Sequence, residues 1–147
     1  MKSQKILFLA LGLLILVVAL FAFLSRDRAA VQSFPATVHR DCAPWDGAAF
    51  TIQVPLQDGD SIHISIWQSP DIVFPKTFSF PDDTGQIGNA ILIHALGLPD
   101  TLSGEVTLQR VQAGIPIEGR FSLGSAGGGQ FEAQFRAEWD EEVVMCG

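Results

Sequence analysis

The chain has 147 residues, with nine Lys and Arg against sixteen Asp and Glu, and a formal net charge of −7 at pH 7. This acidic balance excludes a nucleic-acid binder, because such a protein needs a basic surface to neutralise phosphates. Hydrophobic residues make up 48% of the chain, which excludes intrinsic disorder. Two cysteines are too few for a disulfide-dense scaffold or a four-cysteine zinc module.

The N-terminal region predicts a membrane anchor. Residues 1–5 are short and basic, and residues 6–24 are nineteen side chains without a charged or polar group. As a helix this run spans about 28 Å, close to the ~30 Å hydrocarbon core of a bilayer. It exceeds the apolar core of most signal peptides, and no small-x-small cleavage triplet follows. We expect a single uncleaved transmembrane helix, with a cleaved signal peptide as the alternative.

The charges favour an orientation with the large domain on the extracytoplasmic side of the membrane. Lys and Arg are nearly balanced across the apolar run and do not decide it. However, residues 29–147 carry fifteen acidic and five basic side chains, a net charge of −10, which anionic headgroups would not attract. We therefore predict a cytoplasmic N-terminus (1–5), an anchor whose partner is the lipid bilayer (6–24), a juxtamembrane linker and edge segment (25–41) and an extracytoplasmic domain (42–147).

The rest of the chain shows the alternation of β-strands. In the last strand, for example, Phe131, Phe135 and Trp139 face one way and polar residues face the other. Gly, Asp and Pro separate such runs, as in tight turns. Eight strands are predicted near residues 34–38, 48–55, 61–68, 72–80, 87–96, 103–111, 115–123 and 130–139. Residues 91–96 are apolar on both faces, so a short helix is the alternative there.

Short, evenly spaced strands predict an all-β fold. We expect an antiparallel β-sandwich of about seven or eight strands, Ig-like or jelly-roll-like, preceded by the transmembrane helix. A small barrel is the other architecture that this spacing favours. Cys42 and Cys146 bracket the domain, and we expect a disulfide between them, as suits an oxidising compartment. Two free thiols are the alternative.

One face of the third predicted strand is a candidate binding surface. His63, Ser65 and Trp67 alternate with isoleucines, and Asp71 follows in the next turn. A tryptophan beside polar groups is typical of glycan or peptide recognition, because the indole offers a large flat contact at low entropic cost. The alternative is that this face packs under a loop or a second sheet.

No catalytic constellation is recognisable. Asp83-Thr84-Gly85 matches the aspartic-protease tripeptide, but Pro81 and Asp82 before it indicate an exposed turn. The three histidines lie too far apart in sequence to predict a metal site, and we expect no cofactor. The sequence favours a non-catalytic role in binding, scaffolding or envelope assembly at the cell membrane. The alternative is a small envelope hydrolase whose site is assembled from scattered Asp and His residues.

Overall fold

The computed structural model describes residues 33–68, 74–140 and 144–146. These contain eight strands, each overlapping a predicted one. They are β1 Ser33–Cys42, β2 Ala48–Pro55, β3 Ser61–Ile66, β4 Lys76–Phe80, β5 Gly88–Ile93, β6 Asp100–Gln112, β7 Ile115–Ser125 and β8 Gln130–Trp139. A short 3-10 turn, Gln57–Gly59, lies between β2 and β3. Residues 91–93, the first half of the apolar run 91–96, belong to β5, so the helical alternative is excluded for them.

Seven of the strands close into one barrel, in the order β6-β5-β3-β2-β1-β8-β7 and back to β6. The first and last strands, β1 and β8, pair in parallel, whereas the other pairs are antiparallel. The sandwich prediction was therefore wrong, since one continuous mixed sheet curls until its ends meet. Residues 33–41, expected as linker and edge segment, form most of β1, which pairs on both sides.

The eighth strand, β4, lies alongside the barrel on an edge of β6. The thirteen residues of β6 have room for two neighbours on that edge. β5 pairs with its first residues, Asp100 and Thr101, and β4 pairs with residues 104–108. A register irregularity follows Leu108 in the pairing with β7, and such bulges bend a strand and increase its twist.

The barrel interior is a packed hydrophobic core. On β3 the three isoleucines at positions 62, 64 and 66 are fully buried, and the same period-two burial runs through β7 and β8. The largest fully buried side chains are Phe50, Phe78, Ile52, Ile62, Ile64, Ile66, Leu102, Leu108, Ile117, Leu123, Val38 and Val54. Small barrels fill their interior with side chains in this way.

Two glycines allow close contact between backbones in the barrel wall. A Cβ on Gly88 would lie 1.9 Å from the Ser65 carbonyl oxygen, and one on Gly104 would lie 2.1 Å from that of Ser122. Both have positive φ, at +152° and +140°. Any side chain at either position would force the strands apart.

The two ends of the barrel are distinct. We call the end where Ser33 lies the entry end; it also holds the turns at residues 56–60, 94–99 and 126–129. The opposite, far end holds the turn at residues 43–47 and the disulfide. Cys42 and Cys146 are bonded as predicted, with Cα atoms 5.6 Å apart and 104 residues between them in sequence.

The predicted transmembrane helix, residues 6–24, falls outside the described residues, as do residues 1–5 and 25–32. Within the described ranges, no helix combines the length and the apolar character needed to span a membrane.

Candidate functional site

The structure places three of the four predicted binding residues on the outer surface of the barrel. His63, Ser65 and Trp67 point away from the core and are half-buried. Asp71 lies outside the described residues. His63 and Ser65 lie on β3 and Trp67 directly follows it, so only the residues near the far end share neighbours.

Hydrogen bonds connect the outer surfaces of three neighbouring strands. The Thr51 hydroxyl on β2 donates to Oδ2 of Asp41 on β1, at 2.8 Å. Its oxygen also lies 2.8 Å from the Ser65 hydroxyl on β3. Because the only hydroxyl proton of Thr51 is committed to Asp41, Ser65 donates to Thr51. Thr51 is buried although it faces outward, whereas Asp41 and Ser65 at the two ends of this polar line are half-buried.

A second tryptophan, which the strand pattern of the sequence does not reveal, joins this surface. Trp45 lies in the turn between β1 and β2, and its ring meets Trp67 edge-on, with centroids 5.8 Å apart. Trp45 remains 53% exposed. A Cβ on Gly47 would lie 2.7 Å from Nε1 of Trp45, so the glycine makes room for the folded-back indole. The edge contact holds an exposed aromatic ring in a defined orientation.

We call the set Asp41, Trp45, Thr51, Ser65 and Trp67 the tryptophan face. Asn89 on β5 is the neighbour of Ser65 in the sheet. Its Oδ1 atom is buried and has no hydrogen-bond partner among the described residues. Buried acceptors are nearly always paired in native proteins, so this amide stands out beside the tryptophan face.

His63 belongs to a different environment, nearer the entry end. Its Nε2 atom lies 3.0 Å from the Ser61 hydroxyl. Burial, and secondly the neighbouring His39, lower the pKa of His63 below its usual value of 6.5. At neutral pH the ring is therefore uncharged and is tied to its own strand. This arrangement does not place His63 on the tryptophan face.

The structure also brings together one cluster of Asp and His side chains, at the entry end. His94 lies between two carboxylates, with Nδ1 2.9 Å from Oδ2 of Asp60 and Nε2 3.3 Å from Oδ2 of Asp100. Asp60 also accepts the backbone N–H of Ala95. These bonds raise the pKa of His94, with Asp60 as the larger cause.

This cluster is arranged as a brace for the turn that follows β5. A general base needs a ring nitrogen free to accept a proton from substrate, and both nitrogens of His94 face carboxylates. Within the described parts of the chain, no group of three or more His, Cys, Asp and Glu side chains is arranged to hold a metal ion. In this cluster Asp60 and Asp100 engage both nitrogens of His94 and hold the turn in place.

The Asp83-Thr84-Gly85 tripeptide lies in an exposed turn, as expected. Asp82 accepts the backbone N–H groups of Thr84, Gln86 and Ile87. The Thr84 hydroxyl also donates to Asp82 and is the main cause of a lowered pKa of that carboxyl. Asp82 therefore organises the turn, and Asp83 is solvent-exposed.

A groove of about 420 Å³ lies elsewhere, across the outer surfaces of β6, β7 and β8. Arg120, Arg136 and Gln134 contribute to its lining. Arg136 forms ion pairs with Glu118 and Glu138, at 3.0 and 3.2 Å. All these side chains are exposed, so the groove is a shallow solvated surface.

No family model, characterised protein or solved structure matches the chain.

Proposed function

We propose that the chain is a membrane-anchored, extracytoplasmic binding module without catalytic activity, and that the tryptophan face binds a neutral glycan. The observation that carries the binding site is the exposed Trp45 ring, held edge-on against Trp67 beside a line of shared hydroxyl groups. Sugar rings present apolar C–H faces and hydroxyl edges, and an aromatic ring beside fixed donors and acceptors matches both.

Charge supports a neutral ligand over an acidic one. Asp41 ends the hydrogen-bonded line, and the domain is strongly acidic overall. An anionic ligand would meet like charge on this surface.

The anchor is proposed from residues 6–24 and the extracytoplasmic side from the domain's charge and disulfide. Disulfides persist in oxidising compartments and are rare in the cytosol. The anchor predicts that the full-length chain stays in the membrane pellet after alkaline carbonate washing. A soluble form beginning near Ala29 would contradict it and favour the cleaved signal peptide.

Binding is tested with the full-length chain in detergent against immobilised cello-, malto- and chito-oligosaccharides. We expect retention on at least one of these, and loss of retention in Trp45→Ala. The matched control is Gln112→Ala, an exposed position outside the tryptophan face. Equal retention of Trp45→Ala and the parent chain, or no retention on any of the sugars, would refute the glycan proposal.

A further inference from the structure

The turn between β5 and β6 exposes two leucines at the entry end of the barrel. Leu96 is 98% exposed and Leu98 is 85% exposed. Single exposed apolar residues are common in soluble proteins. Here two large ones share one turn, with only Gly97 between them and Pro99 after them. The tip of this turn carries no polar side chain.

The turn is held in place by hydrogen bonds at its base, although no apolar neighbour among the described residues buries its leucines. Asp60 binds both the His94 ring and the backbone N–H of Ala95. Asp100, at the start of β6, binds the other nitrogen of His94. The brace therefore fixes both ends of the turn and presents the leucines to the outside.

We propose that Leu96 and Leu98 enter the headgroup region of a lipid bilayer and seat the entry end of the barrel on the membrane surface. The inference rests on the anchor in the proposed function. Apolar side chains of peripheral segments enter the headgroup–acyl boundary to a depth of about 5–10 Å. Two leucines suffice for contact here because the anchor already keeps the barrel at a high effective concentration near the bilayer.

The position of Ser33 selects this end of the barrel. Only residues 25–32 separate the apolar run from β1, and eight residues reach at most about 29 Å. Exposed apolar side chains alone do not identify the end of the barrel that faces the membrane, because Trp45 at the far end and Met145 near the disulfide are also exposed. β1 itself runs ten residues, about 33 Å, from Ser33 to Cys42 at the far end, so the chain enters the barrel at the end opposite the disulfide.

Charge defines the type of bilayer. Asp58, Asp60 and Asp100 lie in or beside the turns of the entry end, and anionic headgroups would repel them. Contact is therefore made by the leucines, and it should be closer on zwitterionic phosphatidylcholine than on membranes rich in phosphatidylglycerol.

The test places an environment-sensitive nitrobenzoxadiazole probe on single cysteines in the full-length chain, reconstituted into phosphatidylcholine vesicles. The native disulfide is left oxidised during labelling. Leu96→Cys carries the test probe, and Ala113→Cys, in the turn between β6 and β7 at the far end, carries the control. We expect a blue-shifted emission at position 96, and quenching by aqueous iodide roughly threefold weaker than at position 113.

The outcomes separate this inference from the anchor. Carbonate-resistant chain whose probe at position 96 is as water-exposed as at position 113 overturns the seating and leaves the anchor intact. This result would also direct attention to a protein partner for the leucines. A chain that is washed off overturns the anchor and the seating together. A probe shielded at position 113 and exposed at position 96 overturns the assigned end.

Discussion

Nδ1 of His94 lies 2.9 Å from Oδ2 of Asp60, 34 residues earlier in the chain. The pair shapes the pH dependence of the entry end. A raised His94 pKa stabilises the fold fully below about pH 6.5, and this contribution is lost as pH rises through the folded-state value. The pKa of Asp60 is lowered, mainly by the Ala95 N–H and then by His94, so its contribution is lost at acidic pH.

The first prediction is that the brace is strongest between about pH 4 and 6.5 and weakens at alkaline pH. In a proton NMR titration, His94 should titrate above 6.5 and His63 below it. Asp60→Asn should bring the pKa of His94 down and leave that of His63 in place. A His94 that titrates below His63 would contradict the observed geometry.

A second prediction concerns packing in the last strand. Phe135 is buried and stacks on Phe121, with ring centroids 6.1 Å apart. Phe135→Ala should lower the free energy of unfolding by about 3–5 kcal/mol, because it leaves a cavity. The control is Gln134→Ala on the exposed surface, with a change below about 0.5 kcal/mol. Chemical denaturation measures both, and equal effects would mean that the inward and outward faces of β8 are misassigned.

The third prediction concerns close backbone approach at Gly104. Gly104→Ala adds a Cβ against the Ser122 carbonyl oxygen at a positive φ. Backbone strain and overpacking each cost about 1–3 kcal/mol, so we expect a loss in that range or above it. Gly127→Ala, which meets no atom closer than 3.8 Å and has an ordinary φ, is the matched control. Thermal unfolding distinguishes them, and a tolerated Gly104→Ala would require a different β6–β7 register.

The fourth prediction concerns the disulfide. Intact mass should be lower than that of the reduced chain by two hydrogen atoms, which are lost when two thiols are oxidised to a disulfide, with no thiol labelling before reduction. Replacing both Cys42 and Cys146 with Ser should lower the free energy of unfolding by about 2–5 kcal/mol, since chain entropy alone gives ~4.7 kcal/mol for a loop near 100 residues. Two alkylated cysteines in natively extracted protein would contradict the bridge and the extracytoplasmic orientation.

The strands could be predicted from the sequence because apolar residues, which face the core, alternate regularly with polar residues, which face outward. Ile62, Ile64 and Ile66 give a period of two that only a strand with one buried face explains. The closure of the sheet into a barrel could not be predicted from this alternation. Alternation shows that a face is buried, but it does not show whether a second sheet or the same sheet covers it. That depends on the parallel β1–β8 pairing and on the shared edge of β6.

The site was only partly predictable for a similar reason. Trp67 could be found from its place in an alternating strand. Trp45 lies in a turn, where alternation carries no information, and only the fold brings it to Trp67. The Asp60–His94–Asp100 brace joins residues from separate turns. Its residues have no spacing that signals a cluster, and they meet only because two turns share one end of the barrel.

The parallel pairing of β1 with β8 also bears on the time course of folding. Ser33 is aligned with Gln134, so one edge of β1 has no partner until residues 130–139 have been synthesised. Unpaired strand edges invite aggregation, and contacts between distant parts of a chain slow folding. A nascent polypeptide of this sequence therefore carries an open sheet with unpaired edges on β1 and β7 until its last strand arrives. The barrel wall cannot close before β8 is available to pair with both β1 and β7.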